Sequence, residues 1–257
     1  MNTLDKSLTS NILSQKELRR YAVQITSGKI GVEGQEKLKQ AKLLIIGAGG
    51  KGTVVLQQLA AMGIGTLGIC DSIPVDEAEL SRQFLYGNGD LGKQKAIISK
   101  QKLLEINHMV NYQLHNVCLN SENINRICEE YDILIDATDN FPARYIINDA
   151  AIQLSKPMLF GLVEGSAGMV SVFNYKNGPS FRCLFPSVPT GINNNIPGGT
   201  ITQVSILSII GAIIANEAIK VILGMDTPLS GNLLKFNGSN YSITFEPIQK
   251  NPDNFKY

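Results

Sequence analysis

The sequence predicts an α/β protein built on a doubly wound, Rossmann-like sheet, mostly parallel, with antiparallel strands at its C-terminal end. Three observations carry this expectation. Short β-branched runs at 42–47, 65–71 and 132–139 alternate with helix-forming segments through the first 160 residues, the habit of strands buried on both faces of a parallel sheet. Between the first run and a helical segment stands "GAGGKG" (47–52), with Asp71 closing the next strand. After Tyr175 the alternation stops, and a proline- and glycine-rich stretch, a long apolar helix and a hairpin pattern end the chain.

Taken in order, residues 15–40 read as helix, with "EGQEKLKQA" rich in helix formers. "KLLIIG" (42–47) is the first strand, 53–62 a helix and "GTLGICD" (65–71) the second strand. A helix is expected over 92–107, and "VNYQLHNVC" (110–118) alternates as a strand does. Ser121 caps a helix in 121–131, "DILIDATD" (132–139) is a buried strand, and 143–155 is helical. "PMLFGLV" and "AGMVSVFNY" supply two strands within 157–175. The segment 177–199 is too rich in proline and glycine for regular structure. Residues 201–224 form a buried helix, because Gln203, Asn216, Glu217 and Lys220 would be costly inside a bilayer. Residues 231–248 form a hairpin turned by Asn237-Gly238. The 257 residues are expected to make one domain (1–257), with an N-terminal helical segment (1–40) and a long crossover loop (177–199).

Composition narrows the function. Apolar residues make up 44%, charged residues 18%, and the net charge is +1, so no basic field points to nucleic acid. The N-terminus lacks an apolar core run, and a cytoplasmic chain with no membrane partner is expected. The cysteines Cys70, Cys118, Cys128 and Cys183 contain no C-x-x-C pair, which argues against a zinc ribbon or a dithiol redox site. Cys70 and Cys128 read as core residues, His108 and His115 as surface residues.

The glycine loop carries the chemistry. Glycines between strand and helix let the backbone approach a phosphate, and free N–H groups at the helix N-terminus receive it. The helix dipole adds roughly 0.3–1 kcal/mol. Gly47, Gly49 and Gly52 give G-x-G-x-x-G, enclosing Gly50 and Lys51, and Asp71 stands where a carboxylate binds the two hydroxyls of a ribose. An adenosine nucleotide is therefore expected. The motif fits NAD and ATP alike, whereas a Walker loop is excluded because no G-x-x-x-x-G-K-[ST] occurs. The surroundings discriminate. "LSRQFLYGNGDLGKQKA" (80–96) offers Arg82 and Lys95 to phosphates, at roughly 1.5–3 kcal/mol per charged hydrogen bond. "DATDN" (136–140) places Asp139 at a strand's carboxyl end, where ligands collect and where a carboxylate holds Mg²⁺. Cations and a metal-binding carboxylate suit nucleotidyl transfer better than hydride transfer. An NAD-dependent oxidoreductase is the less favoured alternative, since both histidines lie away from the strand ends.

The segments "RYAVQI", "GQEKLKQAKLLIIGAGGKG", "SRQFLYGNGDLGKQKA", "IDATDNFPARYIIND" and "GAIIANEAIKVILG", in this order and spacing, resemble the ThiF/MoeB/HesA family, relatives of the ubiquitin-activating enzymes. The resemblance runs over nearly the whole chain. It implies a homodimeric adenylyltransferase that binds ATP and Mg²⁺ and adenylates a C-terminal carboxylate, releasing pyrophosphate. The substrate would be a small β-grasp carrier protein ending in Gly-Gly, or a precursor peptide. It places Gly50 against the phosphates, Asp71 on the ribose and Arg82 and Lys95 on the triphosphate. Asp139 would bind Mg²⁺, Asn140 would line the pocket, and Glu79 and Gln83 stand in the same motif beside the nucleotide. The carboxylate is already a nucleophile at neutral pH, so no general base is required.

The chain departs from the family pattern in four places. "DSIPVDEAELSRQ" has Ile73 for a second aspartate and Ala78-Glu79 for a Ser-Asn pair. A carboxylate at 79 would repel a triphosphate unless it turns away or holds a metal. Val23 replaces the arginine that the family's "RYxRQ" segment supplies to the partner. The zinc-holding C-x-x-C pairs are absent, leaving Cys183, so zinc is not expected. No cysteine follows Cys183 in 177–199 to carry a thioester. Lys51, where the family is usually apolar, is expected to compensate by pairing with Glu79 or touching the triphosphate. The alternative to an active enzyme is a catalytically weak nucleotide-binding scaffold of the same fold.

Overall fold

Every residue of "LLII" in Lys42–Ile46 (β1) is apolar because both faces of this strand are covered. Leu43 and Ile45 join the core on one side of the sheet, Leu44 and Ile46 the core on the other. In the computed structural model, which describes residues 9–27, 29–189 and 203–255, β1 pairs in parallel with Thr66–Cys70 (β2) and with Ile133–Asp136 (β4). Asn111–His115 (β3) extends the sheet beyond β2, and Met158–Glu164 (β5) extends it beyond β4, both parallel. Ala167–Phe173 (β6), Asn232–Asn237 (β7) and Ser242–Pro247 (β8) then add antiparallel. The order is β3-β2-β1-β4-β5-β6-β7-β8, the mostly parallel sheet with antiparallel C-terminal strands expected from the sequence.

Helices cover both faces. Gly31–Gln40 (α3), Gly50–Met62 (α4), Lys95–Ile106 (α5) and Val204–Ile222 (α9) pack on one side. Ile124–Cys128 (α6), Phe141–Gln153 (α7) and Phe181–Leu184 (α8) pack on the other. Helix α9 is long and apolar enough to cross a membrane by length and composition, yet it lies against β5, β6 and α4. Its charge sits inside the protein: Glu217 is buried, 2.5 Å from Lys220 and hydrogen-bonded by the Thr227 hydroxyl.

Five local expectations are corrected. Residues 15–40 are not one helix but Gln15–Arg20 (α1), Ala22–Thr26 (α2) and α3. The first break is Tyr21, which leaves helical geometry (φ −98°, ψ 10°) to bury its ring over Gly63 and accept a 2.8 Å hydrogen bond from Asn107. Ser121 is not a cap. Helix α6 starts at Ile124 behind a turn in which Asn120 accepts from the Glu122 and Asn123 N–H groups, both at 3.0 Å. The hairpin does not turn on two residues: Asn237 is the last residue of β7, and the loop 238–241 ends at Tyr241 with φ 58°. The stretch 177–199 holds a helical turn, α8, because Phe181 is fully buried among Phe141, Phe160 and Phe173. Residues 190–199 of that stretch lie outside the described residues. His115 is half-buried rather than on the surface, with its Nε2 2.6 Å from the Tyr131 hydroxyl.

Candidate active site

In an open α/β sheet, ligands bind beyond the carboxyl ends of the strands where adjacent strands send their connections apart. Here that point lies between β1 and β4. The loop leaving β1 is the glycine run, and the loop leaving β4 is 137–140. They touch. Gly47 has φ +98°, and a Cβ there would lie 2.9 Å from the Ala137 carbonyl. A Cβ on Gly52 would lie 1.9 Å from the Gly47 oxygen, so only glycine lets α4 start this close to β1. Gly49 is the N-cap of α4 and supplies no side-chain acceptor. The first N–H groups of α4, from Gly50, Lys51 and Gly52, are therefore available to an anion.

Asp71, at the end of β2, ties the loop down. Its Oδ2 accepts from the Ala48 N–H at 2.7 Å and its Oδ1 from the Ile73 N–H at 2.8 Å. Burial pushes its carboxyl up despite these bonds. Each oxygen retains a second lone pair, enough for ribose hydroxyls. The Tyr86 hydroxyl secures the other side of the loop through the Ala48 carbonyl, at 2.8 Å.

Arg82 and Lys95 come together, and Glu79 lies between them. Arg82 Nη2 donates to Glu79 Oε1 at 3.1 Å, and Lys95 Nζ donates to Glu79 Oε2. Lys95 is almost wholly buried. Gln83 is buried beside Gly49, and its Oε1 has no hydrogen-bond partner. An acceptor buried without a donor costs about 1–3 kcal/mol, so this wall fits a ligand that brings a donor, as a nucleoside does.

Asp139 and Asn140 have separate roles. Asn140 caps α7, its Oδ1 accepting from the Ala143 N–H at 3.0 Å. Asp139 is exposed, with one oxygen 3.5 Å from Asn140 Nδ2. Among the described residues no three His, Cys, Asp or Glu side chains converge on a metal site. A divalent ion here would thus be held by Asp139 together with phosphate oxygens and water, the usual habit of Mg²⁺.

Lys51 does not pair with Glu79. Its side chain turns under the loop and is 6% exposed, and Nζ donates to the Thr138 carbonyl at 3.1 Å. Burial is the main cause that brings its ammonium down to about 8; nearby Arg144 acts the same way, against Asp136 and Asp139. Asp136 and Arg144 are the residues the sequence reading missed. Arg144 Nη2 shares the Thr138 carbonyl at 3.1 Å, and its Nε lies 3.4 Å from Asp136 Oδ2. Asp136 Oδ1 accepts from the Thr138 N–H and hydroxyl at 2.9 and 2.6 Å. Burial pushes the Asp136 carboxyl up against the pull of Arg144. This buried knot fixes the 137–140 loop, and with it the position of Asp139. The stretch "IDATDNFPARY" contains both residues, an acid ending a buried strand and a base one helical turn into α7.

Cys183 is packed rather than coordinated to other sulphur. Its Sγ receives the Asn251 N–H at 3.3 Å and lies 3.4 Å from the Ser180 hydroxyl. A cavity of about 360 Å³ lined by Ala41, Asp132, Ile133 and Pro157 lies at the opposite, amino ends of the strands and shares none of these residues.

Residues 21–256 match the ThiF family. The chain belongs to that family. This ThiF-family chain is 38% identical over 251 residues to a sulfur carrier protein adenylyltransferase of Thermus thermophilus, covering 93% of this chain and 90% of that one. It is 44% identical over 240 residues to a probable molybdopterin-synthase adenylyltransferase of Porphyra purpurea, covering 92% and 62%. With an adenylyltransferase and sulfurtransferase MOCS3 of Culex quinquefasciatus it shares 40% over 248 residues, covering 95% and 56%. The chain spans 62% and 56% of the length of these last two relatives. Among solved structures, PaaA superposes with a TM-score of 0.79 at 26% identity, covering 96% of this chain and 78% of PaaA. The Escherichia coli MccB structure with ATP gives 0.79 at 23%, covering 91% and 72%, a likeness of fold. With its sequence relatives, the ThiF-family chain is a nucleotidyltransferase.

Proposed function

We propose that the protein uses ATP to adenylate the C-terminal carboxylate of a small β-grasp sulphur-carrier protein, forming an acyl-adenylate and releasing pyrophosphate. One observation supports the proposal: Asp71 ties down the glycine loop ahead of the uncapped N-terminus of α4, Arg82 and Lys95 meet through Glu79 beside it, and the loop that carries Asp139 packs against Gly47 at the sheet's switch point. A carboxylate substrate is ionised at neutral pH, so the work left to the chain is positioning and stabilisation of charge. Asp71 would orient the ribose. The α4 N–H groups, Arg82 and Lys95 would take up charge on the α-phosphate and the departing pyrophosphate. Asp139 would hold Mg²⁺, kept in place by the buried Asp136–Arg144 pair below it.

Sequence relatives named for sulphur carrier and molybdopterin synthase favour a carrier protein over a peptide. The fold likeness to MccB, solved with its MccA peptide, keeps a precursor peptide as the alternative substrate. A cytoplasmic homodimer belongs to the same proposal; Val23 on α2 is 85% exposed and free to face a partner copy. A second reading, a nucleotide-binding scaffold without catalysis, is favoured by one feature: Glu79 engages both phosphate-facing cations.

Exchange of labelled pyrophosphate into ATP separates these readings. Exchange that requires an added carrier protein ending in Gly-Gly supports the proposal. Exchange with a free-carboxylate peptide instead redirects it to the peptide class, and tight ATP binding without exchange supports the scaffold.

A further inference from the structure

The nucleotide site carries its own anion. Arg82 and Lys95 are the two cations placed for a triphosphate, and Glu79 meets both of them, one through each carboxylate oxygen. Together with Asp71, these four side chains sum to zero charge, two carboxylates against two cations. A site built to attract a polyanion would show a surplus of positive charge. The Glu79 side chain is not itself held by the core: its helical turn, Glu77–Arg82, contains no fully buried residue and is anchored by the partly buried Leu80, and the Glu79 side chain is 22% exposed beside a Lys95 that is 4% exposed. The carboxylate can thus leave towards solvent while Lys95 stays. Segments with few buried contacts are those that open at low cost.

We infer that Glu79 is an internal competitor of the nucleotide's phosphates, holding Arg82 and Lys95 in ion pairs that a bound triphosphate must replace. The inference rests on the ATP site proposed above. It makes Glu79 a residue that sets affinity and selectivity according to phosphate charge: ligands able to offer several phosphate oxygens displace it, and weakly charged ones do not. Lys51 does not relieve the competition, because its ammonium faces the Thr138 carbonyl on the other side of the loop.

The test is a ladder of ligands titrated by calorimetry into wild type and Glu79→Gln: adenosine, AMP, ADP and the non-hydrolysable α,β-methylene analogue of ATP, with Mg²⁺ throughout. Glutamine keeps the length and removes the charge. Freeing charged hydrogen bonds should tighten the analogue about ten- to a hundredfold, ADP less, AMP little, and adenosine not at all. Glu79→Ala, run on the same ladder, covers the case in which the amide disturbs folding. An unchanged affinity for the analogue overturns the inference, as does an equal gain for adenosine, which would signal a packing effect. Weaker binding of the analogue also overturns it, by making Glu79 a contributor through metal rather than a competitor. If wild type and both variants, each folded by melting curve, bind neither adenosine nor the analogue, the ATP site itself is refuted.

Discussion

Lys51→Met tests how the buried loop is held together. The lysine is 6% exposed, and its ammonium is displaced from 10.5 to about 8, chiefly by burial. At about 1.4 kcal/mol per unit, keeping the charge inside costs up to about 3 kcal/mol at neutral pH. Methionine fills a similar volume without charge. The lost hydrogen bond to the Thr138 carbonyl takes back about 1 kcal/mol, and that oxygen keeps its bond from Arg144. The expected net gain is about 2 kcal/mol at pH 7. The pH dependence has a definite sign. Between about 8 and 10.5 the unfolded chain binds the proton that the native lysine has lost, so wild-type stability rises with pH across that window. Below it the cost is present in full. Urea unfolding of both proteins at pH 7 and pH 10 should therefore show an advantage for the variant that has nearly vanished at the higher pH. A variant less stable than wild type at pH 7, or a difference independent of pH, would refute a buried ammonium at this position.

Four further substitutions separate structure from chemistry. Gly52→Ala puts a Cβ 1.9 Å from the Gly47 carbonyl oxygen and should cost about 3 kcal/mol or more in chemical denaturation. Gly49→Ala is its control, since the nearest atom is Gln83 Nε2 at 3.7 Å, and should cost less than about 1 kcal/mol. Asp139→Asn should lower the melting temperature only slightly, because the side chain is exposed and loses only its attraction to the buried Lys51 and Arg144, yet reduce Mg²⁺-dependent pyrophosphate exchange by about tenfold or more. Asn140→Ala removes the α7 cap and should lower stability by about 1 kcal/mol, read from the shift in urea midpoint.

What was legible in the sequence followed from local rules. "KLLIIG" and "DILIDATD" announce strands covered on both faces, and the glycine spacing with Asp71 marks the first β-α-β unit because Gly52 must pass close to Gly47 where the helix leaves the strand. Tertiary demands were not legible. Tyr21 breaks the N-terminal helix to reach Gly63 and Asn107, positions far along the chain. The Asn237-Gly238 pair is a strong turn signal, but strand pairing of Asn237 with Ser242 takes Asn237 into β7 and lengthens the turn to 238–241. Within the site, the Glu79–Arg82 pair was readable as an i, i+3 spacing, whereas Lys95 as the second partner was not. Lys51 near a helix N-terminus ordinarily reaches solvent. Its turn inward depends on a carbonyl 87 residues away, and no local pattern encodes that.

Oxygen transfer tests the chemistry most directly. A Gly-Gly-ending carrier protein bearing ¹⁸O in its C-terminal carboxylate is incubated with ATP, Mg²⁺ and the enzyme, and the products are released by a nucleophile that attacks the acyl carbon. Attack of the carboxylate on the α-phosphorus leaves that oxygen bridging the acyl and phosphoryl groups, and cleavage at carbon delivers it to AMP. AMP carrying one ¹⁸O, formed in step with pyrophosphate, is the expected result. AMP without label, or no AMP despite saturating ATP, would contradict carboxylate adenylation by this site.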